Sequence, residues 1–417
     1  VSNWLAYPGL FLLGTLLGSQ INHAIYRWAW NSRRISPWSL ADPQAPPRRL
    51  ADWIPILGWW GLRREVNLHG RSFWIRPMLL ELASGLALAS LYWWEIGRSE
   101  ELVVTTPVVL RYLGHVILIS LLAIASFIDF DEQTIPDLVT IPGTVAGLLL
   151  AALVPLSLLP VGDVDGVESP LLVTSPFEWD SKLDEPQGLI LGWGCLLAWC
   201  LAVLPKVSTL RKGYWQGIKI MLASILRPKR KTKSRLEVQP RAPFLISRLI
   251  GVLAILGMLL IAGVWFVGDL QWRTLLTALL GMAFGGGVIW AVRIIGGYAM
   301  QQEAMGFGDV TLMAMIGAFL GWQSTLIVFF LAPFAALLIG LIQLATVRRT
   351  DIAFGPYLAL ASVLLVVAWE PIWELRARNL FQLGWFIPLL VGCCLLLMGV
   401  LLVALQWFKQ LFRGSER

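Results

Sequence analysis

Two acidic residues stand at the edges of long apolar runs, where a charge is costly and marks a functional candidate. Asp129, in SFIDFDEQTIPD (126–137), directly follows one such run, and Pro136 breaks the chain before the next begins at Leu138. Asp309, in MGFGDV (305–310), heads the run TLMAMIGAFLG. Two carboxylates close together in a low-dielectric site cannot both ionise easily, so they share a proton. The ionised member can take a proton from water attacking a peptide carbonyl. The protonated member polarises that carbonyl and then protonates the leaving amine. Gly306 and Gly308 lack a Cβ, so backbone can approach a substrate closely. The dipole of a helix starting near Asp309 would bias that residue toward its ionised form. The same carboxylates have two other readings, as helix N-caps or as ion-relay sites of a transporter.

The elements that must position these residues follow from composition. The chain has 417 residues, 57 % hydrophobic and 14 % charged, with a mean hydropathy of +0.71. That excludes a water-soluble globule, a disordered chain and a disulfide scaffold, and implies an all-α, polytopic membrane helical bundle. The 22 Trp suit the two membrane interfaces. The first apolar run, Trp4 to Ala24, has no basic residue before it and no small-residue cleavage pattern, so it reads as a retained span. Further runs at 77–95, 104–128, 138–160, 188–205, 244–267, 273–296, 310–321, 324–346, 353–369 and 380–407 bring the expectation to about 11 spans.

Charge sorts the loops. Residues 27–76 carry nine Arg against Asp42, Asp52 and Glu65, and 206–243 carry eleven Lys/Arg against Glu237. Residues 161–187 carry seven Asp/Glu against Lys182. Alternating spans put both basic loops, Arg348-Arg349 and the tail with Lys409 and Arg413 on one side, with the acidic loop on the other. The positive-inside rule makes the basic side cytoplasmic and the N-terminus external. Asp129 and Asp309 then share the cytoplasmic level. RPKRKTKSR (227–235) reads as a topology determinant touching anionic lipid rather than as a nucleic-acid patch, and 213–226 as an interfacial amphipathic helix. Arg248 and Arg293 read as snorkelling cations. The GxxxG spacings Gly14/Gly18, Gly281/Gly285 and Gly317/Gly321 read as close helix packing. Cys195, Cys200, Cys393 and Cys394 form no CxxC pair, and the three His are far apart, which argues against a metal site in the loops. No GxxxxGK, GxSxG or HExxH string occurs.

EAMGFGDVTLMAMIGAFLGWQ (303–323) closely resembles the GxGD segment of the bacterial type IV prepilin peptidases, the membrane aspartyl proteases of the A24 family. IDFDEQTIPDLVTIPG (128–143), GSQINHAIYR (18–27), the 52–85 segment and AFGPYLALAS (353–362) are similar to four further motifs of that family, in the same order. The resemblance implies that Asp129 and Asp309 are the catalytic pair and that Gly306 and Gly308 are motif glycines. It leaves Asp131 and Asp137 as structural residues capping a cytoplasmic turn and the next helix. It also implies cleavage of the basic leader of type IV prepilins and pseudopilins after a Gly, at the cytoplasmic face of the bacterial inner membrane, with membrane lipid as a further partner and no nucleic acid. No cofactor is needed for proteolysis. S-adenosylmethionine enters only if the family's second activity, N-methylation of the new N-terminus, is retained, with Glu81 among the motif residues that remain. The family's zinc-binding CxxC pairs are missing, because residues 27–76 contain no Cys, so no zinc is expected there.

This organises the chain as a first span (1–26), a basic cytoplasmic loop (27–76), spans 2–4 with the first Asp (77–160), an acidic external loop (161–187), an inserted hairpin around a basic loop (188–267), GxGD peptidase spans (273–369) and an extra C-terminal span with a basic tail (380–417). A carboxylate-based transporter and a non-catalytic membrane scaffold are the competing functions. Asp309→Asn separates them: the protease reading predicts uncleaved prepilin, the scaffold reading normal processing.

Overall fold

Once lipid replaces water, a run of apolar residues can satisfy its backbone polar groups only as helix. The protein, described here from a computed structural model, is accordingly an all-α bundle with one short hairpin. The structure describes residues 6–97, 106–164, 167–204, 242–300, 305–346, 353–384 and 386–413. Most of the basic 206–243 loop, including 213–226 and 227–235, lies outside the described residues, as do Arg348-Arg349 and the side chain of Arg248.

The long helices are α1 (Ala6–Trp28), α2 (Ile75–Tyr92), α3 (Thr106–Glu132), α4 (Asp137–Leu153), α5 (Pro186–Val203), α6 (Ala242–Val267), α7 (Asp269–Met300), α8 (Phe307–Thr346), α9 (Gly355–Val367) and α10 (Phe386–Arg413). An antiparallel pair, β1 (Pro160–Val164) and β2 (Val167–Pro170), lies between α4 and α5.

The continuous trace of α8 hides a reversal. Straight, its 40 residues would run about 60 Å. Yet Gly355, only a short connection after Thr346 (at most about 30 Å), returns to the end of the bundle where α8 begins. Gly321 supplies the turn, with φ 78° and ψ 172°, a conformation that glycine alone adopts freely. Gly285 of α7 touches both limbs: a Cβ there would stand 2.6 Å from the Met313 carbonyl oxygen and 2.8 Å from Thr325 Cγ2. The runs 310–321 and 324–346 are therefore two limbs of one hairpin that grips α7.

Among the described residues, seven helices are long and apolar enough to cross a membrane, or eight if the pair Gly355–Val367 and Trp369–Phe381, bent by 86°, is one span. This count does not confirm the expected eleven, for local reasons. α1 is long enough at 23 residues but carries Gln20, Asn22 and His23. The 138–160 run is helical only through Leu153. The two limbs of α8 fall within one continuous trace.

Small residues draw the helices together. A Cβ on Gly14 would lie 2.7 Å from Gly85 Cα and one on Gly18 would lie 2.8 Å from Glu81 Cα, while Gly281 and Gly317 pack backbone on backbone. All three GxxxG spacings are thus used inside one chain.

The bundle has two distinct ends. At one, Gln323 Nε2 donates to the carbonyls of Leu172 and Ser175, the Val173 amide donates to Thr277, and Trp369 Nε1 donates to Pro160. The acidic 161–187 segment lies there. At the other end lie Asp129, Asp309 and the folded 27–76 loop, whose Trp30 and Asn31 amides donate to the Glu132 carboxylate at 2.7 and 3.0 Å.

Candidate active site

Asp129 sits on the last turn of α3. The chain then leaves the helix through Gln133, at φ 54°, whose amide donates to the Asp129 carbonyl at 2.8 Å. Pro136 follows as the N-cap of α4. Asp309 comes from the opposite direction, in the first turn of α8. Ile135 joins the two segments. A Cβ on Gly308 would stand 2.7 Å from Ile135 Cβ, so no larger residue fits at that motif position without displacing the Asp129 loop. Behind this contact, Thr140 Oγ1 donates to Thr311 Oγ1 at 3.1 Å, a buried polar link between α4 and α8.

A third segment completes the site. The Gly355 amide at the start of α9 donates to Asp129 Oδ2 at 3.1 Å. Asp129 and Asp309 are 5 % and 7 % exposed, so bulk water screens neither, and both flank Ile135, on which Gly308 and Gly355 pack. Asp309 Oδ1 is buried with no hydrogen-bond partner. Paired carboxylates in this setting can divide acid and base roles around one water.

The structure draws the other sequence-expected residues apart. Asp131 caps no turn: it stays on α3 and forms a 2.6 Å ion pair with Arg76, whose guanidinium also lies 4.8 Å over the Phe127 ring. Asp137 is the exposed first residue of α4, and the N-cap position itself is taken by Pro136, which has no side-chain acceptor to offer. Gly306 is exposed beside Asp309. Arg293 does more than snorkel, since its Nε donates to the Met305 carbonyl at 3.0 Å just ahead of the GxGD turn. Gly355 was legible only as part of a motif without a role. Ile135 was likewise legible only as part of a motif, and Arg76 carried no signal, because nothing local announces a contact across the bundle.

The 27–76 loop folds back on α1 and α2 without thiols. Tyr26, Ile35, Trp59 and Leu62 form its small core. Glu81, fully buried, accepts from the Ile56 amide, Trp59 Nε1 and Asn22 Nδ2. Arg48 pairs with Glu65 at 2.6 Å, and Arg64 grips both oxygens of Asp52, which also accepts from the Arg49 amide at 2.6 Å. Burial alone would raise the Asp52 pKa. The bonds from Arg64 and Arg49 and the charges of Arg64 and Arg48 outweigh that and hold it below the usual carboxylate range. Asp52 and Glu81 are committed to protein donors, while Glu65 Oε2 and His69 Nε2, 3.6 Å apart, are buried without a hydrogen bond. With no Cys in the loop and no group of three metal-ligating side chains among the described residues, the loop does not fit a zinc site. Nor do Asp52 and Glu81 offer S-adenosylmethionine a free carboxylate, since both oxygens of each are engaged and Trp59 beside Glu81 is 1 % exposed.

With this geometry in place, comparison with known proteins is informative. Residues 245–341, which include Asp309 but not Asp129, match the model of the type IV leader peptidase family. A prepilin leader peptidase/N-methyltransferase of Dickeya chrysanthemi is 30 % identical over 225 residues, covering 45 % of this chain and 75 % of the relative. Proteins of the same name from Pseudomonas aeruginosa and Escherichia coli K12 are 38 % identical over 87 residues and 35 % over 89. Those matches cover 20 % and 21 % of this chain but only 30 % and 40 % of the relatives' lengths. No solved structure matches. Identity that runs through three quarters of the Dickeya protein, together with the family match around the GxGD turn, makes this chain a member of the type IV leader peptidase family.

Proposed function

We propose that the protein is an aspartyl endopeptidase that removes the leader of type IV prepilins or pseudopilins at the cytoplasmic face of the bacterial inner membrane. The observation that supports this reading is that Asp129 and Asp309, both buried and far apart in the chain, come to one end of the bundle, where Gly308 beside Asp309 and Gly355 beside Asp129 both pack on Ile135. A water between them loses a proton to the ionised carboxylate as it attacks the scissile carbonyl. The protonated carboxyl hydrogen-bonds the carbonyl oxygen and then delivers its proton to the departing amine. The nine Arg of 27–76 share an end with the pair, and basic segments stay on the cytoplasmic side. A basic leader is retained there for the same reason, so substrate and site share a side. The relatives' names add N-methylation of the new N-terminus. The engaged carboxylates of the 27–76 loop give that second activity no support.

The test incubates membranes carrying the protein with a leader-bearing prepilin, then reads the product's N-terminus by sequencing and its methyl content by mass spectrometry. Cleavage lost in Asp129→Asn and Asp309→Asn supports the dyad. Wild-type cleavage in either variant defeats it.

A further inference from the structure

The segment AFGPY (353–357) has no task in the hydrolysis described above, yet it reaches the reacting groups. We infer that the Gly355 backbone amide is a positioning group of the reaction, holding Asp129 as the ionised base and leaving Asp309 as the proton donor. This rests on the peptidase reading.

Three observations converge. Gly355 is the first residue of α9, so its N–H has no partner within the helix, and it donates at 3.1 Å to Asp129 Oδ2. A hydrogen bond given to a carboxylate favours its charged form. Second, position 355 has no room for a side chain: a Cβ would stand 2.6 Å from Asp129 Oδ2 and 2.9 Å from Ile135 Cδ1. The absent side chain is what lets the amide reach the acid. Third, the two acids differ in their other oxygen. Asp309 also takes a backbone bond, from Gly306, but its Oδ1 is buried without a partner, whereas Asp129 has no such orphaned oxygen among the described residues. An unpaired buried carboxyl oxygen costs least in the neutral acid. Both acids stand near a helix N-terminus, so the dipole alone does not divide their roles. Each acid also accepts one backbone amide; the orphaned Oδ1 of Asp309 divides them, and it opposes the bias that the position of Asp309 suggests by itself.

The neighbouring charges are otherwise committed. On α3, Asp131 is paired with Arg76 of α2, and Glu132 accepts from the amides that follow α1. On α7, Arg293 holds the Met305 carbonyl. Asp309 on α8 is the ionisable group that faces Asp129 electrostatically.

Gly355→Ala presses a methyl group against the Asp129 carboxylate and loosens the amide's grip. Measured on the full chain with a prepilin substrate, the acid limb of kcat/KM should move about one pH unit upward. The loss should then be about tenfold on that limb and smaller on the plateau, with little change in KM. A purely structural role would lower the rate by one factor at every pH. A pH-independent loss, or a rate within twofold of wild type throughout, overturns the inference. Should Gly355→Ala fail to accumulate, the Asp variants decide. The carboxamide introduced by Asp309→Asn can still donate to the scissile carbonyl, whereas the one introduced by Asp129→Asn cannot accept water's proton. Asp309→Asn should therefore retain at least about tenfold more residual rate than Asp129→Asn. Equal or reversed residual rates overturn the role assignment while leaving the peptidase intact. Wild-type cleavage by both would instead remove the peptidase reading itself.

Discussion

Asp52→Ala tests how a loop with no thiols keeps its shape. The substitution removes a two-pronged Arg64 contact (Nη1 to Oδ1 at 2.9 Å, Nη2 to Oδ2 at 2.5 Å) and the Arg49 amide bond at 2.6 Å. Breaking a fully buried ion pair costs roughly 3–5 kcal/mol, whereas an exposed one is worth less than about 1 kcal/mol. Asp52 is 2 % exposed, but the Arg64 side chain keeps 19 % of its surface in solvent, so the charge is screened from one side. We expect about 2 kcal/mol, lying between these limits. That is a rise of about 30-fold in the local opening of residues 48–65. Hydrogen exchange on the protein in nanodiscs reads it directly, because local openings expose amides without global unfolding. The pH dependence follows from the depressed Asp52 pKa. A carboxylate whose folded value lies below its unfolded one stabilises fully above the unfolded value, about 3.9, and loses that contribution as pH falls through the folded value. The protection difference between wild type and Asp52→Ala should hold from about pH 7 to 5 and shrink below about pH 4. A change under about threefold at neutral pH, or a gap that widens on acidification, refutes the reasoning.

Three further outcomes follow. Thr311→Val should cost about 1–2 kcal/mol in detergent melts by stripping the Thr140 hydroxyl of its partner at 3.1 Å, and Thr140→Val/Thr311→Val together should cost less than the sum of the single variants. Gly14→Val should lower thermal stability and yield because its Cβ would meet Gly85 Cα at 2.7 Å, whereas Gly9→Val, with nothing within 4 Å, should leave both unchanged. Adding a strong chelator should leave exchange protection in residues 48–65 unchanged, since the loop is closed by Arg–carboxylate pairs; a loss of protection would point to a metal in that loop.

Much of the architecture was legible because hydropathy is local. Each apolar run reports its own helix, and the ends of Asp129's and Asp309's runs mark where those helices meet polar surroundings. Legibility failed where the chain departs from a straight rod. The break at Gly321 was legible as the gap between the runs 310–321 and 324–346, but the 86° bend after Val367 was not, and among the described residues the helices long and apolar enough to cross number seven or eight. Asp131 illustrates the same limit at the site. Its neighbours in sequence suggest a cap, but its partner, Arg76, arrives from another helix.

From sequence alone came the all-helical membrane class, the segregation of basic and acidic loops, the absence of thiol ligands in 27–76, and two acids at the ends of apolar runs. These depend on residue type and on neighbours a few positions away. Tertiary structure alone decided that Gly355 donates to Asp129, that Ile135 seats against Gly308, and that Arg64 and Arg48 close the loop. Such contacts are set by how rigid helices pack, and packing brings together atoms whose separation along the chain says nothing of their distance in space.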